Sequence, residues 1–232
     1  MADSVIRTEN LTKTFFLGKE KVTALNDVTI SVDKGQICAV LGTSGSGKST
    51  LLNMLAGLER PTSGAVYIGR HRIDKMTERE LTLFRQKFTG FVFQSYNLIP
   101  SLTALENVAM PLMFKGIGKQ EREARALEML RLVGLENRKN HRPFEMSGGQ
   151  QQRAGIARAF VSNPRVIFAD EPTGNLDSET TKNVMELVCG LVHENNSTMI
   201  LVTHDNNVAS YADKIITITD GKVTNENQGE TS

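Results

Sequence analysis

Four short apolar runs punctuate the chain: Ile37-Cys38-Ala39-Val40-Leu41, Phe91-Val92-Phe93, Val166-Ile167-Phe168-Ala169 and Met199-Ile200-Leu201-Val202. Runs this short, apolar on both faces, predict strands buried in a parallel sheet. Elsewhere the period lengthens. Ala124, Leu127, Leu130 and Val133 recur at helical spacing with Glu and Arg between them, as do Val184, Leu187, Val188 and Leu191. Both stretches predict helices. Val5 to Val32 shows short alternating runs broken by Gly and charge, which predicts antiparallel strands. Pro61-Thr62-Ser63-Gly64 reads as a turn before a short strand, Ala65 to Ile68. Residues 73–84 are polar and charged, and Leu102 to Ala159 reads as largely helical. Strands alternating with helices predict an α/β fold with a mostly parallel sheet. Asn225 to Ser232 is polar and predicts a frayed tail.

The 232 residues suit one large domain with a subdomain, and 39% hydrophobic residues suffice for an ordinary core. The 27 basic and 26 acidic side chains leave a net charge of +1. That excludes a strong whole-protein field for nucleic acid, and no nucleic-acid partner is expected. Trp is absent and aromatics are 6% of the chain, so base-stacking platforms are sparse. Cys38 and Cys189 each lie in apolar runs and read as core fillers of a reducing compartment. Met1 to Val5 shows no basic stretch and no apolar core of a secretory signal. No apolar run approaches the ~20 residues that cross a bilayer. A cytoplasmic protein is expected, with any membrane role supplied by a partner.

The chemistry sits at the strand ends. After Ile37 to Leu41 comes Gly42-Thr43-Ser44-Gly45-Ser46-Gly47-Lys48-Ser49, which fits the phosphate-loop pattern G-x-x-x-x-G-K-[ST] at every specified position. A helical run from Ser49 to Gly57 follows it. Backbone N–H groups and the helix N-terminus then face the phosphates, and glycine lets the backbone approach them closely. Lys48 is suited to the β- and γ-phosphates, and the Ser49 hydroxyl to Mg²⁺. The strand from Val166 ends in Asp170-Glu171. Asp170 suits the Mg²⁺ shell through water. Glu171 is placed to orient and deprotonate an attacking water. His204, after the strand from Met199, suits a hydrogen bond to the γ-phosphate. Gln94, after Phe93, suits Mg²⁺ and the same water, though a lone glutamine is weak evidence. A second glycine loop, Ser147-Gly148-Gly149-Gln150-Gln151, opens another helical run and makes a second anion site.

Together these residues resemble the ATP-binding subunit of ABC transporters from about Val5 to Val223. Residues 42–49 look like Walker A, and Gln94 like the Q-loop glutamine. Ser147 to Gln151 resembles the ABC signature, with Met146 where the family usually has Leu. Val166 to Glu171 resembles Walker B with the catalytic glutamate, Asn175-Leu176-Asp177 the D-loop, and His204 the switch histidine. The resemblance implies ATP and Mg²⁺ as ligands. Gly42 to Lys48, Ser49 and Thr50 would bind ATP, and Ser49, Gln94 and Asp170 would serve the metal. Phe15 would stack on adenine, with Phe16 as the alternative. It implies a P-loop NTPase core with an antiparallel β-subdomain at 1–94 and 161–224. A helical subdomain would occupy 95–160, and the tail 225–232. It further implies a homodimer, packed head to tail. There Ser147, Gly148, Gly149, Gln150 and Asp177 would contact the ATP held by the second copy.

Within the family, Gly90 to Pro100, Thr103 to Val108 and Glu171 to Asp177 look like the group serving macrolide exporters, lipoprotein-releasing complexes and antimicrobial-peptide resistance. That group implies a membrane permease partner whose coupling helix docks near Leu105 to Lys115, and a place on the inner face of the cell membrane. The alternative is an ABC ATPase that controls a signalling or cell-wall-hydrolase complex. DNA-repair members carry long coiled coils, whose heptads are absent here. Ribosome-acting members carry two cassettes, and this chain has one.

Overall fold

The computed structural model describes residues 4–18 and 20–228. In chain order the elements are β1 Ser4–Leu17, β2 Glu20–Val28, β3 Ser31–Asp33, β4 Ile37–Leu41, α1 Lys48–Leu55, β5 Ser63–Ile68 and β6 His71–Arg72. Then come α2 Glu78–Phe88, β7 Thr89–Phe93, α3 Ala104–Phe114, α4 Lys119–Leu132, α5 Gly148–Phe160, β8 Val166–Asp170 and α6 Ser178–Glu194. The last are β9 Thr198–Thr203, α7 Asn206–Ala209, β10 Lys214–Thr219 and β11 Lys222–Gln228. The chain divides into two compact units, residues 1–85 with 196–232 and residues 86–195. The helical subdomain read from the sequence, 95–160, contains α3, α4 and α5.

The first unit carries an antiparallel sheet in the order β2-β1-β5-β6, with β3 on β1. It also carries β11-β10-β4-β9, in which β10, β4 and β9 run parallel. Every residue of β9 is buried, as are Ile37 to Val40 of β4. That is why both read as unbroken apolar runs. β10 and β11 were not foreseen. β11 is almost wholly polar and is held by its antiparallel backbone ladder with β10. The frayed tail expected from Asn225 is therefore a strand as far as Gln228, and 229–232 lie outside the described residues.

The second unit places β7 and β8 side by side, parallel, with Phe93 opposite Asp170. Its helices pack on one another, α3 on α4 and α5. The inward stripe of α4 is Ala126, Leu130 and Val133, whereas Ala124 is exposed and Leu127 only half-buried. The helix is as expected, but its buried face is rotated from the predicted stripe. α3 is capped by a reciprocal box in which Thr103 Oγ1 accepts from Glu106 N–H and the Glu106 carboxylate accepts from Thr103 N–H. Inside it, the buried Asn107 amide bonds Ile99, Leu102 and Thr103 carbonyls and so fixes the preceding loop. No helix among the described residues is long and apolar enough to cross a membrane.

Candidate nucleotide site

In the first unit the phosphate loop leaves β4 at Leu41, whose register partners are Thr203 on one side and Thr217 on the other. Gly42 and His204 thus follow paired residues at the C-terminal ends of neighbouring parallel strands, where ligands of such sheets bind. His204 is exposed there. The loop is held by backbone. A Cβ on Gly42 would stand 2.4 Å from the Ile218 carbonyl oxygen. At Gly47 the φ is +105°, and a Cβ would stand 2.4 Å from the Ala24 carbonyl oxygen. Gly221 N–H donates to the Ser46 carbonyl, and Asn26 N–H to that of Gly221. No side chain larger than hydrogen fits these two positions without moving a neighbouring chain segment.

The loop's polar groups fit a phosphate chain. Lys48 is 5% exposed, and its Nζ donates to the Thr43 carbonyl at 2.7 Å across the loop. The Ser46 hydroxyl is buried without a partner among the described residues. Thr43, Ser44 and Gly45 are exposed, and Ser49 and Thr50 stand in the first turn of α1. Among the described residues no three His, Cys, Asp or Glu side chains gather into a metal cage. Mg²⁺ bound through substrate phosphates requires none, only one or two protein oxygens, and Ser49 Oγ and the Asp170 carboxylate have that chemistry.

Phe15 and Phe16 differ sharply. Phe16 is 72% exposed at the end of the β1–β2 hairpin. Phe15 is half-buried, with Lys13 Nζ 4.9 Å from its ring centroid. Lys13 is itself pinned by Glu59 and the Arg60 carbonyl. A ring fixed on one face by an anchored cation is the better stacking platform of the two.

In the second unit Phe93 pairs with Asp170 at the ends of β7 and β8, so Gln94 and Glu171 are each the next residue beyond that pair. Glu171 has φ +43°, an uncommon conformation for a residue other than glycine. It begins a turn closed by Gly174 N–H onto its carbonyl. Gly174 lies against Gln94, and Asn175 Nδ2 donates to the Gln94 carbonyl at 3.0 Å. The turn after Asp170-Glu171 is thus tied to the glutamine segment.

The second glycine loop is the start of α5. Ser147 is its N-cap: its hydroxyl accepts from Gln150 N–H, and its own N–H donates to the Gln150 side chain. This leaves the amides of Gly148 and Gly149 as first-turn donors without intrahelical partners. Asp177 caps α6 in the same way through Thr180, whose N–H and hydroxyl hold the carboxyl below the usual carboxylate range. Ser147, Gly148, Gly149, Gln150 and Asp177 line one pocket of about 320 Å³ with Arg153 and Asn175. The structure brings together every residue predicted to contact a second copy's ATP.

The sequence profile of the family described as ABC transporter matches residues 25–174. The chain belongs to this family. An ABC transporter ATP-binding protein of Methanocaldococcus jannaschii, MJ0796, is 48% identical over 226 residues and 96% of each chain. The ATP-binding protein YtrE of Bacillus subtilis is 47% identical over 94% of this cassette and 96% of its own length. The macrolide export ATP-binding/permease protein MacB of Vibrio parahaemolyticus is 43% identical over 96% of this cassette, which spans 34% of MacB. The dimeric post-hydrolysis structure of MJ0796 bound to ADP and Pi superposes with a TM-score of 0.91 at 44% identity. It covers 98% of this cassette and 100% of that one. This cassette is an ATPase, the ATP-binding and ATP-hydrolysing subunit of an ABC transporter.

Three further residues of this region were missed in the sequence: Gln152, Arg153 and Arg158. Only Arg158 left a signal, a lone charge in the apolar run Ala154 to Phe160.

Proposed function

We propose that this cassette closes on a second copy of itself when both hold ATP, and that the closing and opening drive a membrane permease. Phe15 stacks on adenine, and Gly42 to Thr50 cradle the phosphates, with Lys48 on the β- and γ-oxygens. Mg²⁺, when bound, neutralises phosphate charge; Ser49, Gln94 and, through water, Asp170 would hold it. Glu171 takes a proton from water as the water oxygen attacks the γ-phosphorus and ADP leaves. Gln94 orients that water, and His204 bonds the γ-phosphate. Ser147, the Gly148 and Gly149 amides, Gln150 and Asp177 stabilise charge on the γ-phosphate held by the other copy. Loss of that phosphate removes the group bridging the copies, and the dimer opens.

The observation that carries this reading is the second anion cradle. One nucleotide needs one phosphate loop, and this chain builds a further capped helix start with free amides beside Asp177. The dimeric structures of MJ0796 support a homodimer. MacB, which joins an ATP-binding part and a permease in one chain, supports a permease partner here, in export or mechanical transmission. Met113 and Phe114, exposed at the end of α3, support docking of its cytoplasmic helix there. On this reading the chain sits at the cytoplasmic face of the membrane.

The test is Glu171→Gln. It keeps side-chain volume and removes the base, so ATP binding persists and turnover falls by about 10²-fold or more. Gel filtration with Mg·ATP then shows a stable dimer. Turnover near the wild-type rate removes Glu171 from its role.

A further inference from the structure

One stripe of α5, stepping through 148, 152, 155 and 158, touches the segments that follow β7 and β8. Such spacing lies on a single helix face. At its start, a Cβ on Gly148 would stand 2.8 Å from the Tyr96 hydroxyl. At its middle, Gln152 is fully buried and its Nε2 donates to the Pro172 carbonyl, one residue beyond Glu171. Near its end, the Arg158 guanidinium donates to the Asn97 carbonyl and, at 2.8 Å, to that of Tyr96. Tyr96 and Asn97 are consecutive residues with φ +59° and +49°, two places beyond Gln94. Consecutive left-handed residues are costly unless held.

Both side chains are expensive choices for packing alone. Arg158 is 8% exposed, and no carboxylate pairs with it among the described residues. A buried charge bonded only to carbonyls costs more than an apolar side chain of the same size. Gln152 leaves its Oε1 buried without a partner among the described residues. A half-satisfied buried amide is likewise worse for stability than Met. What each gains is a directed bond to the backbone beside a residue of the hydrolytic site.

We propose that Gln152 and Arg158 are positioning residues that let α5 couple the two ATP sites of the dimer. The signature loop at the start of α5 grips the nucleotide of the other copy. The same helix holds the Glu171 turn through Gln152 and the Gln94 segment through Arg158. Occupation of one site is then felt at the glutamate and glutamine serving the other. The inference rests on the reading of Gln94, Ser147 and Glu171 given above.

The experiment is steady-state hydrolysis by the purified chain across ATP concentration, for wild type, Gln152→Met and Arg158→Lys. Lys keeps the charge but cannot serve two carbonyls with a planar fork. Both variants are expected to lose about tenfold in kcat while half-saturation stays within about twofold, because ground-state contacts with ATP are untouched. The wild-type Hill coefficient lies above 1 and falls toward about 1 in both. Thermal melts run alongside. Wild-type kcat and Hill coefficient in both variants overturn the proposal, as does a non-cooperative wild type. So does a loss of kcat that vanishes when rates are normalised to folded protein. Glu171→Gln separates the two levels: if it is inert and traps the dimer while Arg158→Lys behaves as wild type, only the coupling fails. If Glu171→Gln turns over, the underlying assignment fails.

Discussion

The two glycine loops of this cassette are confined by different kinds of neighbour. Around Gly42 and Gly47 the nearest atoms are carbonyl oxygens of other strands, at 2.4 Å from a notional Cβ. Around Gly148 and Gly149 they are the tips of side chains, Tyr96 Oη and Thr180 Cγ2, both at 2.8 Å. Backbone cannot yield without disturbing a sheet, whereas a side-chain tip can turn aside. The phosphate loop is therefore set before ATP arrives, which lowers the cost of binding a multiply charged ligand. The loop from Ser147 to Gln151 is adjustable, as the proposed surface that engages and releases a second copy would need to be.

The largest effect expected from this contrast is at Gly47. Gly47→Ala adds a Cβ at φ +105° against the Ala24 carbonyl, so strain and clash act together. ATP binding, read by fluorescent-nucleotide titration, should weaken by about 10²-fold or more, since the backbone donors no longer converge. No truncation of a neighbouring side chain should restore it, because the obstacle is main chain. Recovery through Leu25→Ala would show that side chains confine this loop too.

Next in size is Gly148→Ala. Its Cβ meets the Tyr96 hydroxyl, and beyond that the ring Cζ at 3.8 Å, ordinary contact distance. Hydrolysis should fall by about tenfold or more, because both the signature amides and the Tyr96 segment shift. Tyr96→Phe removes the obstructing oxygen and should return several-fold of that loss in the double variant. Without such recovery, the signature glycine is confined by something other than Tyr96, and the contrast between the loops narrows.

The same distinction explains what the sequence made legible. The phosphate loop, Asp170-Glu171 and the buried strands are local in the chain, and each is specified by pattern and spacing. The antiparallel strands of β1 to β3 were legible for the same reason. β11 was not, because Val223-Thr224-Asn225-Glu226-Asn227 has no apolar face and is held by backbone pairing with β10. α2 was missed although Thr77 and Glu80 form a readable cap, since only Leu81 and Phe84 anchor it among charged residues. The buried face of α4 was misplaced because Ala124 and Ala126 have the same polarity, and only packing against α3 and α5 selects one. The contrast between Phe15 and Phe16 rests on Glu59 and Arg60, which anchor Lys13 from far along the chain. The links from Gln152 and Arg158 join segments up to 62 residues apart through backbone carbonyls. A carbonyl acceptor is present at every residue, so no side-chain pattern announces it.

The smallest effect tests whether coupling in the second unit runs through α5 or through its helices generally. Thr103→Ala removes the cap of α3, at a cost of about 1 kcal/mol in stability. The Glu106 carboxyl, held below its usual range by Thr103 N–H and hydroxyl, should return only part of the way toward the ordinary value, because alanine keeps the N–H. The sign follows from the depressed pKa. The carboxylate share of the wild-type cap stabilises above the ordinary carboxylate range and is lost as pH falls through the lowered one, so the gap in melting temperature should narrow in acid while the bond from Glu106 N–H to the Thr103 hydroxyl keeps the remainder. Thr103 lies outside the α5 stripe, so kcat and Hill coefficient at neutral pH should stay within about twofold of wild type. A loss of cooperativity here, equal to that in Arg158→Lys, would mean that general loosening of the helical unit suffices. α5 would then have no special part in joining the sites.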